Sequence, residues 1–254
     1  MNHKKRYKAL MMDLDGTLVK NAEHALPSKS VIEAVNRAGK YLHTGIATGR
    51  PVFMIENILK SVQFTGVSIV NDGAQIIDVK TRKVYAEKLI HTEDLPIIEE
   101  ILHKEKVKEI FLQSVTKDIP FDKTHTEKVF AVISSQLSEK QCDSILGKIH
   151  DVPTLHAYKF HAWEGGFGIN ITPLTATKQH GILEVAQILD IRTDEIIGIG
   201  DSYNDFPLLM ACGLKVALGN AVDEVKAIAD YIAPSVDNDG VADVIGKFIL
   251  DTKS

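Results

Sequence analysis

The stretch "ALMMDLDGTL" (residues 9–18) opens with an apolar run, then sets Asp13 and Asp15 one residue apart before a Gly-Thr turn. A short apolar run bounded by a turn signal reads as a buried strand. Two carboxylates at the end of such a strand face desolvation and mutual repulsion, and both oppose ionisation. Either they sit on a surface loop or something positive lies between them.

Working outward, apolar runs and helical patterns alternate. A helix over about 28–39 is capped by Ser28 and closed by Gly39 in the left-handed conformation. Strand "YLHTGIAT", a helix opened by Pro51 and strand "GVSIV" follow, then two alternating runs around a Lys-Thr-Arg-Lys turn, which read as a hairpin. The rhythm resumes near residue 177 with a helix to about 189 and strand "EIIGIG". Helix "YNDFPLLMAC", strand "LKVAL", helix "AVDEVKAIA", a short "DYIA" strand and a last helix over about 241–250 complete it. Strands buried on both faces with helices between them predict a Rossmann-like α/β core with a mainly parallel sheet. Its segments are residues 1–86 and 176–254. Residues 87–175 differ in texture, with helices near 92–104 and 138–150 and strands at "EIFLQSV", "TLHAYKFHA" and "GFGINIT". They read as an inserted α+β module.

Composition narrows the function. The 254 residues are 44% hydrophobic and 25% charged, a globular profile. The formal net charge of −5 supplies no general basic surface, so nucleic acid is not expected as a partner. Two distant cysteines, Cys142 and Cys212, form no CxxC pattern, which points to a reducing cytoplasmic setting. The basic N-terminus lacks the apolar core of a signal peptide, and no apolar window approaches the roughly 18 residues that span a bilayer. No membrane partner is expected.

In an open parallel sheet, ligands bind at the carboxyl ends of the strands. Four unusual stretches fall there: "DLDGT", "ATGRP", "TATKQH" and "GDSYND". Singly, each has a plain explanation as a turn, a helix cap, a solvated lysine or a polar loop. Together they are complementary. Asp13, Asp15, Asp201 and Asp205 make an acidic cluster if the two loops adjoin, and a hard divalent cation resolves its repulsion. Oxygen-only ligands indicate Mg²⁺ rather than zinc. Thr48, the backbone amides near Gly49, and Lys178 supply donors and one positive charge suited to a phosphoryl group beside that cation.

In this order and spacing, "DLDGTL", "ATGR", Lys178 and "GDSYND" resemble the four motifs of the haloacid dehalogenase-like phosphatases. The long insertion resembles the α/β cap of the Cof-type subfamily, as does the tail "ALGNAVDEVKAIADYIAPSVDNDGVADVI". The resemblance implies that Asp13 is the nucleophile, forming an aspartyl-phosphate, and that Asp15 is the general acid and then the base. It places Mg²⁺ on Asp13, the Asp15 carbonyl and Asp201, with Asp205 orienting water ligands. Thr48, Gly49 and Lys178 then bind phosphate, and Asn204 contacts substrate or supports Lys178. It implies a small phosphorylated metabolite as substrate, foremost a sugar phosphate, and a monomer or small homo-oligomer. A phosphomutase or phosphotransferase is the alternative, and a non-catalytic regulatory protein is disfavoured by the intact set of Asp13, Asp15, Lys178 and Asp201.

Other signatures fail. "GVADVIGKF" has one residue too many for a phosphate-binding P-loop, and "GIGDSY" has Tyr203 where a dinucleotide fold needs glycine. His156 and His161 read as cap packing or substrate contacts rather than a zinc pair. Trp163 and Phe167 read as hairpin packing or substrate contacts. Asn71, Asp72 and Gly73 resemble the family's "NGA" run with Asp72 as an extra residue.

Overall fold

The computed structural model describes residues 7–125 and 128–251; the basic residues 1–6 lie outside it. Its organising element is a five-stranded parallel sheet in the order β13-β12-β11-β1-β2. These strands are β1 (Ala9–Met12), β2 (His43–Ile46), β11 (Ile196–Gly200), β12 (Leu214–Leu218) and β13 (Tyr231–Ala233). β3 (Val67–Val70) runs beside β2 through an Ala47–Ile69 bridge and pairs antiparallel with β4 (Gln75–Asp78), which pairs with β5 (Val84–Glu87). β4 and β5 are the hairpin read from the sequence.

All four residues of β1 are buried because successive side chains enter different cores. Leu10 and Met12 pack with Val35 of α1 (Lys29–Ala38), Ile55 of α2 (Val52–Ser61) and Val244 of α8 (Gly240–Ile245). Ala9 and Met11 join the opposite core, with Ile182 of α5 (Lys178–Ile188), Leu208 of α6 (Phe206–Ala211) and Val225 of α7 (Asp223–Ile228). Each fully buried side chain of this size contributes about 1.5–3 kcal/mol. The helices on both faces leave the strand ends as the open edges.

A second, antiparallel sheet has the order β7-β6-β8-β10-β9. It comprises β6 (Phe111–Gln113), β7 (Asp118–Pro120), β8 (Ala131–Leu137), β9 (Leu155–His161) and β10 (Phe167–Pro173). One face packs Leu112, Val132, Ile169 and Ile171 against Ile98 of α3 (Leu95–Lys104) and Ile145 of α4 (Glu139–His150). The alternate residues, including Gln113, Ile133, Tyr158, Phe160 and Asn170, face the carboxyl ends of the parallel sheet across a cleft of about 900 Å³.

Four local expectations are corrected. Gly39 closes α1 in the right-handed region (φ −60°, ψ −14°), with its N–H donating to Val35 O; its Cβ would sit 3.1 Å from Thr65, so close approach accounts for the glycine. The central strand β8 was not anticipated, because "SSQ" interrupts its apolar pattern; Ser134 is buried there and donates to Glu109 O. The three-residue edge strand β7 was also missed. The last helix stops at Ile245 and continues over Gly246–Leu250 as a π-type turn.

Candidate active site

Parallel pairing of Met12 with Ile199 and donation from Asp13 N to Ile199 O bring the loops after β1 and β11 to one edge. Asp13 and Asp15 follow β1 on the cleft side, while Leu14 between them is buried in the core below. Gly16 then turns the chain at φ +80°; a Cβ there would lie 2.3 Å from Asp201 Oδ2, so only glycine lets the loops touch.

Each of the first two carboxylates has its own protein cation. Lys178, the first residue of α5 and 1% exposed, donates from Nζ to Asp13 Oδ1 and Asp205 Oδ1, both at 2.6 Å. Thr177 caps that helix by accepting from His180 N, which fixes where Lys178 emerges. Burial alone would lower the lysine pKa, but the charges of Asp13, Asp205 and Asp72 outweigh it and hold the ammonium well above its usual range. Asp15 is gripped by Arg50, which donates Nε to Oδ2 at 2.7 Å and Nη2 to Oδ1, while also binding the carbonyls of Glu23 and Ala22. Trp163 lies 4.6 Å over the guanidinium and donates Nε1 to Asp15 Oδ1 at 3.3 Å. Arg50 was inside a quoted motif but was given no role, and its bidentate partner lies 35 positions upstream.

Asp201 has neutral partners, Thr17 Oγ1 at 2.6 Å and Asn220 Nδ2 at 3.4 Å. Burial, then the nearby Asp205 charge, push its carboxyl up to about 7. Asp13 is raised for the same two reasons, in that order. Carboxylate oxygens of Asp13, Asp201 and Asp205 come within 4.8 Å of one another. Crowded, desolvated, oxygen-only donors of this kind fit a hard divalent cation. Asp205 differs from the expectation of a water-orienting residue: Oδ1 takes Lys178, and Oδ2 accepts from the backbone N–H groups of Asp201 and Ser202.

Thr48 is buried beside these groups and accepts from Arg50 N through Oγ1. Gly49 approaches the Asp72 carboxylate and the Tyr158 hydroxyl so closely that a Cβ would lie 2.7 Å and 2.9 Å from them. Asp72 is the group that sequence reading left without a role. Consecutive positive φ values at Asn71, Asp72 and Gly73 tuck it beneath the cleft at 2% exposure. There it accepts from Tyr158, from Asn170 Nδ2 at 3.0 Å and from Asn204 Nδ2 at 3.2 Å. Asn204 therefore reaches Asp72 rather than Lys178. Tyr158 is held protonated, its pKa raised by burial and then by the Asp72 charge. His156 and His161 sit five residues apart on β9, an odd spacing that sends them to opposite faces; His161 stacks on Phe167 at 4.8 Å.

Known proteins share this architecture. The family model for haloacid dehalogenase-like hydrolases matches residues 10–119 and 111–245. A Bacillus subtilis protein named 5-amino-6-(5-phospho-D-ribitylamino)uracil phosphatase is 25% identical over 248 residues, covering 96% of each chain. A phosphoglycolate phosphatase of Methanopyrus kandleri is 26% identical over 94% of this chain and 96% of its own. A solved structure described as a subclass IIB sugar phosphatase of the same superfamily superposes with a TM-score of 0.78 at 25% identity, covering 95% and 98% of the two chains. Among the described residues, no helix is long and apolar enough to cross a membrane.

Proposed function

The chain belongs to the haloacid dehalogenase-like hydrolases and is a phosphatase of that family, and on that premise we propose that it hydrolyses small phosphomonoesters, sugar phosphates foremost, through an aspartyl-phosphate on Asp13. The observation that carries this reading is the convergence of Asp13, Asp15, Lys178 and Asp201 from three separate segments at one end of the parallel sheet, beside the cleft. We assign residues 1–86 and 176–254 to the catalytic core and 87–175 to a cap that contacts the leaving group.

Asp13 attacks phosphorus with one carboxylate oxygen while the bond to the leaving oxygen breaks. Lys178 orients Asp13 and offsets negative charge as it moves onto the phosphoryl oxygens. Asp15 acts as the general acid that gives a proton to the leaving alkoxide. It then takes a proton from the water that attacks phosphorus and releases Asp13. Arg50 and Trp163 fix the direction in which Asp15 points. Asp205 acts through Lys178 and the loop amides and is a positioning residue. The residues that would hold Mg²⁺ are Asp13, Asp201 and the Asp15 carbonyl; when bound, it supplies the charge neutralisation that lets a carboxylate approach a phosphate dianion. Thr48 and the backbone at Gly49 complete the phosphate site, and Asn204 braces Asp72 at its edge.

The test is phosphate release from a metabolite panel with and without Mg²⁺. Asp13→Asn is expected to lower turnover by more than about 10⁴-fold with the circular dichroism spectrum unchanged, and fluoroberyllate is expected to protect the wild type but not the variant against heat. Wild-type turnover in Asp13→Asn would remove the nucleophile assignment.

A further inference from the structure

The wall of the cleft opposite Asp13 carries carboxylates and buried amide side chains. Gln113 is 2% exposed and is the cross-strand neighbour of Asp118. Its Oε1 is buried without a partner among the described residues. Asn170, also 2% exposed, donates Nδ2 to Asp72 and to the Tyr158 oxygen, both at 3.0 Å, and its Oδ1 is likewise unpartnered. Buried amide oxygens without donors cost free energy, and both residues line the cleft.

The charges on this wall have one sign. Asp118, Glu109 and Glu164 line it. The lysine and arginine that line the cleft lie on the opposite side, and each is already engaged: Lys20 with Asp237 at 2.6 Å, and Arg50 with Asp15. Phe111 and Phe160 supply ring faces between the acceptors, surfaces that attract cations and cover the carbon faces of a sugar. A leaving group bearing a carboxylate or second phosphate would meet these carboxylates, with no lysine or arginine on this wall among the described residues. A leaving group with N–H and O–H donors would be complementary to those carboxylates.

We propose that this wall selects phosphomonoesters whose leaving group is a polyol carrying a protonated amine and no second anion, with Asp118 and Gln113 as specificity-determining residues. The inference rests on the phosphatase reading and names the substrate class within it. The chemistry of the phosphoryl step is unchanged; selection acts on kcat/KM through contacts to the departing alcohol.

The experiment compares kcat/KM for phosphate release from glucosamine 6-phosphate, glucose 6-phosphate and 6-phosphogluconate, with p-nitrophenyl phosphate as a leaving group that addresses none of these acceptors. Wild type is expected to favour the amine over the carboxylate by about 100-fold or more, with the neutral sugar between them. Asp118→Asn is expected to narrow that ratio about 10- to 100-fold, the range for one charge-assisted hydrogen bond in a closed site. Glu109→Gln is expected to narrow it less, and serves if the first variant fails to fold. Release from p-nitrophenyl phosphate with equal or carboxylate-favouring rates on the sugars would overturn the inference alone, as would a ratio unmoved in both variants. Absence of release from all four compounds would overturn the phosphatase reading beneath it.

Discussion

The floor and the roof of the cleft are built on opposite rules. On the floor, Lys178 answers Asp13 and Asp205, Arg50 answers Asp15, and the loop amides answer the second oxygen of Asp205. On the roof, Gln113 and Asn170 keep buried oxygens without partners, and the carboxylates of Asp118 and Glu109 lie in a wall without a lysine or arginine. A floor whose charges are mostly paired is, on the proposed reading, pre-organised for the part of a substrate that never changes, the phosphoryl group. An unsatisfied wall stores its demand for the part that does change. On the proposed reading, phosphate chemistry and substrate choice are carried by different sheets, and each can be altered separately.

The largest expected effect breaks the floor. Lys178→Met leaves two buried carboxylates without their shared cation, a change that costs about 3–5 kcal/mol for a buried pair. Turnover should fall by about 10³-fold or more, because the same ammonium offsets charge in phosphoryl transfer. Adding Asp205→Asn removes one of the stranded charges. The double variant should regain a measurable part of the lost stability in urea unfolding while turnover stays low. Recovery of both together would mean that Lys178 serves the fold alone.

A smaller effect sharpens the line between floor and roof. Asp15 belongs to the floor, yet Trp163 of the β9–β10 connection bonds it. Asp15→Asn keeps the backbone carbonyl and the approximate shape but cannot exchange a proton in the same way. Turnover should fall about 10²–10⁴-fold, the usual range for acid–base help, with Mg²⁺ affinity by calorimetry retained. An equal loss of metal affinity would recast the Asp15 side chain as a ligand.

The same division explains what could be read from the sequence. Asp13, Asp15 and Asp201 were legible because short loops at parallel strand ends must converge, and Lys178, at the start of α5, because its charge makes sense only together with theirs. The roof was not. Its contacts come one or two at a time from several strands whose apolar alternation is broken by buried polar residues, as at Ser134 in β8. Asp72 was illegible for a different reason. Its position depends on backbone at φ +54°, unusual for a non-glycine residue, and on Tyr158 and Asn170, which lie 86 and 98 residues away. Arg50 was visible as a residue but not as a partner, since nothing local ties it to Asp15.

The smallest expected effect asks which half of the molecule carries its acid sensitivity. His43 lies in β2, where Nε2 donates to Val67 O at 2.7 Å and Nδ1 accepts from Thr65 Oγ1 at 2.9 Å. Burial lowers its pKa below the usual 6.5, against the opposing pull of the Val67 carbonyl and the Asp78 charge. In the roof, His156 is also lowered by burial, opposed by Asp72 and assisted by His180. For either residue the unfolded chain takes up a proton near pH 6.5 that the folded protein refuses until lower pH. Unfolding is then favoured as pH falls through that window, and above it both states are neutral and the residue contributes no pH dependence. His43→Gln keeps a side-chain N–H for Val67 but does not titrate. Its melting temperature should therefore fall less than that of wild type between pH 7.5 and pH 5.5; in a protein of this size each ~1 kcal/mol corresponds to about 2–4 °C. If His156→Gln flattens the profile and His43→Gln does not, the linkage belongs to the cap half, and the parallel-sheet half tolerates acid better than its half-buried histidine implies.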